Sequence, residues 1–146
     1  MRKALLLIIT IFTLFGCNKK KQQQTQQAAN NPVPSTPVNI TLYPNDPLNF
    51  KVQAIGGWMY ISGGINGIIL YRKSEQEFVA LERTSSYYPD NANAKVKVQT
   101  DNFTCKDSIS GSKWQIIDGQ VVNGPATWNL RAYGTAFDGS VLKIRN

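Results

Sequence analysis

Two patterns divide the chain. Ala4 to Phe15 is an almost unbroken apolar run of 12 residues behind Met1-Arg2-Lys3, whereas residues 18–37 are dominated by lysine, glutamine and proline. From Val38 onward, short apolar stretches alternate with glycine, proline and polar breaks. Val38-Asn39-Ile40-Thr41-Leu42 and Lys51-Val52-Gln53-Ala54-Ile55 alternate at period two, the spacing of a half-buried strand. Trp58 to Ile61 and Phe78 to Leu81 read as further strands, and Ile68-Ile69-Leu70-Tyr71 is apolar throughout, as in a strand buried on both faces. Lys95 to Val98 alternates, and Val141 to Ile144 closes the chain. Asp118-Gly119 and Asp138-Gly139 are hairpin turn signals, because both central positions of such turns take positive φ. No long window has helical spacing. Short strands with turns every 8–12 residues predict an all-β sandwich or barrel over residues 38–146.

The opening run is too short to span a bilayer, which takes about 20 apolar residues, and so reads as a signal peptide over residues 1–16. Its end, Leu14-Phe15-Gly16-Cys17, is similar to the bacterial lipobox, in which an aliphatic and a small residue precede a cysteine that is cleaved free and acylated. Cys17 is therefore the expected lipidation site, and the bilayer the expected partner of its acyl chains. Each buried methylene contributes about 0.8 kcal/mol, so two or more chains hold firmly. The expected address is the exported side of a bacterial envelope membrane. Residues 17–37 then read as a lipidated cysteine and a disordered tether with too little apolar surface for a core.

Charge adds little to this picture. The net charge is +7, but five of the 16 cations precede residue 38, leaving 11 Lys and Arg against 9 Asp and Glu in the domain. Nucleic acid is not an expected partner. The chain has no histidine, which excludes Ser-His-Asp and Cys-His catalysis and His-ligated metals. Glu75 and Glu77 flank a turn and read as surface charge. Cys105 is left without a partner once Cys17 is acylated, and in Phe103-Thr104-Cys105 it reads as a small, half-buried strand residue.

One stretch is more informative. Gly111-Ser112-Lys113-Trp114 leads through Asp118-Gly119 to Gly124-Pro125-Ala126. This frame resembles the second half of a Rieske-type domain, where a Cys-x-x-His loop precedes Gly-Ser and a Gly-Pro-Ala loop closes over a [2Fe–2S] cluster. It is also similar to a branch of bacterial lipoproteins related to Rieske proteins. Gly56-Gly57-Trp58-Met59-Tyr60, Arg83, Tyr87 and Pro89 match that branch as well. The resemblance implies that the four ligand positions of a Rieske cluster fall on Ser85, Tyr87, Asp107 and Ser110. The cysteine positions of the lipoprotein branch fall on Ser85, Asn93, Ile109 and Ser110.

Rieske clusters take two thiolates and two imidazoles, and all four positions here carry oxygen. One carboxylate among them is also too few for calcium. The sequence thus predicts no metal, no cofactor and no catalytic residue. It predicts a cluster-less Rieske-like module with a binding or structural role toward an unidentified envelope partner. The alternative is a [2Fe–2S] electron carrier with unrecognised ligation. Trp128, just past Gly124-Pro125-Ala126, is the candidate partner contact.

Overall fold

The computed structural model describes residues 30–146; the signal segment and Cys17 lie outside the described residues. Ten strands follow in order: β1 (Asn39–Leu42), β2 (Trp58–Ile61), β3 (Ile68–Arg72), β4 (Phe78–Glu82), β5 (Lys97–Val98), β6 (Thr104–Lys106), β7 (Lys113–Gln115), β8 (Val121–Asn123), β9 (Ala132–Phe137) and β10 (Leu142–Arg145). They form a six-stranded sheet in the order β1-β10-β9-β4-β3-β2 and a four-stranded sheet in the order β5-β6-β7-β8. All pairings are antiparallel. The expected all-β class is the observed one.

The pair β3–β4 organises the molecule. Side chains alternate across a strand, so one face carries Ile68, Leu70, Phe78 and Ala80 into a core with Tyr133, Leu142 and Ile144. The opposite face carries Ile69, Tyr71 and Leu81 into a second core with Val96, Cys105, Trp114, Ile116 and Leu130. Both faces being covered, β3 has no place for a polar side chain until Arg72. Fully burying a side chain of this size contributes about 1.5–3 kcal/mol, so these two layers supply the fold's main driving force.

Three expectations are corrected. Lys51–Ile55 does not form a strand; Pro47–Val52 is instead a kinked 3₁₀ segment. Asp46 caps it by accepting from the Leu48 N–H at 2.8 Å, and Pro47 presets the first turn. Only Val52 of the alternating set is buried, while Ile55 is 59% exposed. Arg72 then fixes the exit, donating from Nη1 to the Gln53 carbonyl at 2.7 Å.

The packed unit also starts before Val38, at Asn31. Val33 is fully buried, the Asn31 amide donates to the Asn129 carbonyl at 2.8 Å, and Arg131 Nε donates to the Val33 carbonyl at 2.7 Å. A single buried valine among prolines leaves no periodic signal. Lys95–Val98 pairs as a strand only at Lys97 and Val98, with Lys95 making an isolated bridge to Thr84.

Candidate functional site

Three loops extend beyond the strands. The first runs from Arg83 to Val96 and is closed at its base by Ser85 N–H to the Ala94 carbonyl, 2.9 Å. The second, 107–112, is a tight turn between β6 and β7. Gly111 N–H reaches the Asp107 carbonyl at 2.9 Å, and Asp107 N–H reaches that of Ser112 at 3.1 Å. Gly111 takes φ +77°, the left-handed conformation that glycine adopts without steric cost. The third loop contains the cis Gly124-Pro125 bond and leads to Ala126.

Asp107 joins these loops. It is fully buried, and its Oδ2 accepts from Ser85 Oγ at 3.0 Å and Ser110 Oγ at 2.7 Å, while its Oδ1 accepts from the Ile109 N–H at 2.9 Å. Ser110 Oγ lies 2.9 Å from Ser112 Oγ, which accepts from the Ala126 N–H at 3.0 Å. Ser110 has a single hydroxyl proton, spent on Asp107, so the Ser112 hydroxyl supplies the proton between the two serines. A continuous chain therefore runs Ser85–Asp107–Ser110–Ser112–Ala126 through all three loops. Each of its polar atoms is satisfied, the condition under which a buried polar network rigidifies.

Three of the four positions named from the sequence thus converge: Ser85, Asp107 and Ser110. Tyr87 does not join them through its side chain. Its backbone N–H donates to Ser85 Oγ at 3.3 Å, while its ring packs edge-on against Tyr88 with centroids 4.5 Å apart. Tyr87, Tyr88 and Ile109 leave the loop tips apolar and exposed. Trp128 is half-buried, and its carbonyl accepts from both Ser86 Oγ, 2.6 Å, and Trp114 Nε1, 3.0 Å.

Cys105 is fully buried rather than half-buried, and sits opposite Trp114 across β6–β7. Burial foremost, and then the nearby Asp101 charge, push its thiol up to about 12. It is an inert core residue.

A second buried carboxylate, Glu82, carried no expectation. It ends the apolar strand β4 and accepts from the Ile65 N–H at 2.8 Å, the Asn66 N–H at 3.0 Å, Thr84 N–H and Oγ1 at 3.0 and 2.8 Å, and the Tyr133 hydroxyl at 2.7 Å. Burial raises its pKa, but the bonds from Tyr133, Asn66, Ile65 and Thr84 together outweigh that and hold it below the usual carboxylate range. A Cβ on Gly64 would fall 2.0 Å from Glu82 Oε2, so glycine is required there. An acid closing an otherwise apolar strand was the available sequence signal.

The donor set at the loops does not fit an iron–sulfur cluster. Such clusters bind thiolate and imidazole, whereas the convergent atoms here are hydroxyl and carboxylate oxygens already engaged with one another. Among the described residues, no group of three or more His, Cys, Asp or Glu is placed to hold a metal ion. At these loops the Ser85 and Ser110 hydroxyls are engaged with the Asp107 carboxylate in a closed network, and no imidazole is available to activate them.

No family model and no curated protein matches the sequence. Among solved structures, the fold is similar to that of the plasma membrane Rieske protein PetC3 of the cyanobacterium Synechocystis PCC 6803. The TM-score is 0.54 at 17% identity, covering 73% of this chain and 99% of that one.

Proposed function

We propose that the chain is a lipid-anchored, non-catalytic binding or structural module of the bacterial envelope, in which side-chain hydrogen bonds replace the cluster of a Rieske domain. The observation that carries this reading is the Ser85–Asp107–Ser110–Ser112 network. It ties together the loops that, by the sequence resemblance, correspond to those braced by metal–ligand bonds in Rieske proteins, and it does so with oxygen atoms already satisfied. A rigid tip presenting Tyr87, Tyr88 and Ile109 suits contact with a partner surface.

The anchor is proposed at Cys17. With the packed unit starting at Asn31, residues 18–30 are the 13 that separate it from the acylated cysteine. A segment of that length reaches at most about 47 Å, which would keep an anchored domain close to the bilayer. Expression of wild-type and Cys17→Ala chains tests the proposal. Wild type is expected in the membrane fraction with a blocked mature N-terminus and no visible absorption bands, and Cys17→Ala as soluble or uncleaved protein. A soluble wild-type chain with a free N-terminus removes the anchor; coloured protein removes the cluster-less reading in favour of an electron carrier.

A further inference from the structure

Away from the loop tips, a cleft of about 440 Å³ opens where the edge strand β2 of the large sheet meets the β5–β6 turn of the small one. Trp58 and Tyr60 of β2, Asn102 of the turn, Lys51 and the Gly56-Gly57 pair line it. Its aromatic side chains are held in place before any ligand arrives. Trp58 Nε1 donates to Asn102 Oδ1 at 2.8 Å, and the Trp58 and Tyr60 rings meet edge to face with centroids 5.2 Å apart. The Tyr60 hydroxyl accepts from the Val98 N–H at 3.0 Å, and the Arg83 guanidinium lies 3.7 Å from the ring centroid. Asn102 adopts φ +56°, the only non-glycine residue with positive φ among the described residues. Asparagine, which tolerates the left-handed conformation, occupies the point that pins the indole. Gly57 lets the chain pass close to the Lys51 carbonyl, which a Cβ there would meet at 2.1 Å.

We infer that this cleft binds a short acidic saccharide. Rigid aromatic walls lower the ordering cost of binding, and the apolar C–H face of a sugar ring stacks on an indole while its hydroxyls remain in water. An open, shallow cleft suits such a ligand better than an apolar cofactor, which needs enclosure. The side-chain amide of Asn102 supplies a directional polar group. Lys51, exposed and without an ion-pair partner among the described residues, supplies the only formal charge of the lining and favours an acidic sugar over a neutral one. The inference is independent of the loop network and of the anchor.

The test titrates the detergent-solubilised full chain with trigalacturonate and with neutral cellotriose, following tryptophan fluorescence and ligand-observed NMR. Trigalacturonate is expected to bind with a dissociation constant on the order of 1 mM, with cellotriose weaker. Lys51→Met, on the surface, is expected to weaken the acidic trimer about 10-fold and cellotriose by a much smaller factor. Trp58→Phe, which keeps a ring but removes the bond to Asn102, is expected to weaken both. No response to about 10 mM trigalacturonate, or affinities indifferent to both substitutions, overturns the site. Equal binding of the two sugars overturns the assignment of an acidic ligand.

Discussion

Two buried carboxylates, Glu82 and Asp107, solve the same problem in different settings. Glu82 ends a strand that is hydrogen-bonded on both sides, and its five bonds reach the β2–β3 turn, Thr84 and the Tyr133 hydroxyl on β9. Asp107 begins a short turn, and its partners are the Ile109 N–H and two serines in loops that contribute little to either core. One carboxylate locks a sheet that already has a core; the other stands in for one. Loss of Glu82 should therefore strain the whole domain, and loss of Asp107 the three loops.

The largest effect is expected from Glu82→Ala, which leaves the Tyr133 hydroxyl and two turn amides without an acceptor. A loss of about 3–5 kcal/mol, read as a lower denaturant midpoint, is the expected outcome. The same comparison carries a pH signature. The folded-state pKa of Glu82 is depressed, so its contribution is complete above the unfolded value of about 4.3 and is lost as pH falls through the folded value. The stability gap between wild type and Glu82→Ala should narrow below about pH 4. A gap that stays constant under acid would sink the assignment.

Asp107→Ala comes next, at about 2–3 kcal/mol, because Ser85 and Ser110 lose their common acceptor. Hydrogen exchange should show faster loss of protection at the amides of Ile109, Gly111 and Ala126 than at those of β3 and β4. Uniform acceleration over both regions would mean that the network supports the entire fold. Ser85→Ala removes one bond of the chain and is expected to cost about 1 kcal/mol, with its exchange effect confined to the first loop. The smallest effect is on chemistry at Cys105. Its thiol should stay unmodified by disulfide reagents at pH 8 in the folded protein and react once denatured; rapid native modification would contradict its burial.

The sequence showed these regions unequally. Period-two alternation and apolar runs located β1, β2, β3, β4 and β10, because burial of one or both faces dictates residue type directly. Lys51–Ile55 misled for the same reason. Its alternation is real, but Asp46, Pro47 and Gly57 override it through local bonds and a close backbone approach. Val33 and the start at Asn31 were hidden because one buried residue and two long-range bonds have no periodicity. Asp107 and Ser110 were named by counting back from Gly111-Ser112, and Ser85 by its place after the stretch Phe78 to Arg83, but their mutual bonding was not readable. Hydrogen bonds across 22 positions depend on loop closure, which composition does not encode. The pinning of Trp58 by Asn102, 44 positions away, is hidden in the same way.

The most direct measurement is iron and acid-labile sulfide analysis of anaerobically purified full chain, alongside thermal unfolding with and without chelator. Colourless protein is expected, without stoichiometric iron or sulfide, and with a Tm that chelator does not move. Two irons and two sulfides per chain, with a paramagnetic signal on reduction, would contradict the replacement of the cluster by the Ser85–Asp107–Ser110–Ser112 network.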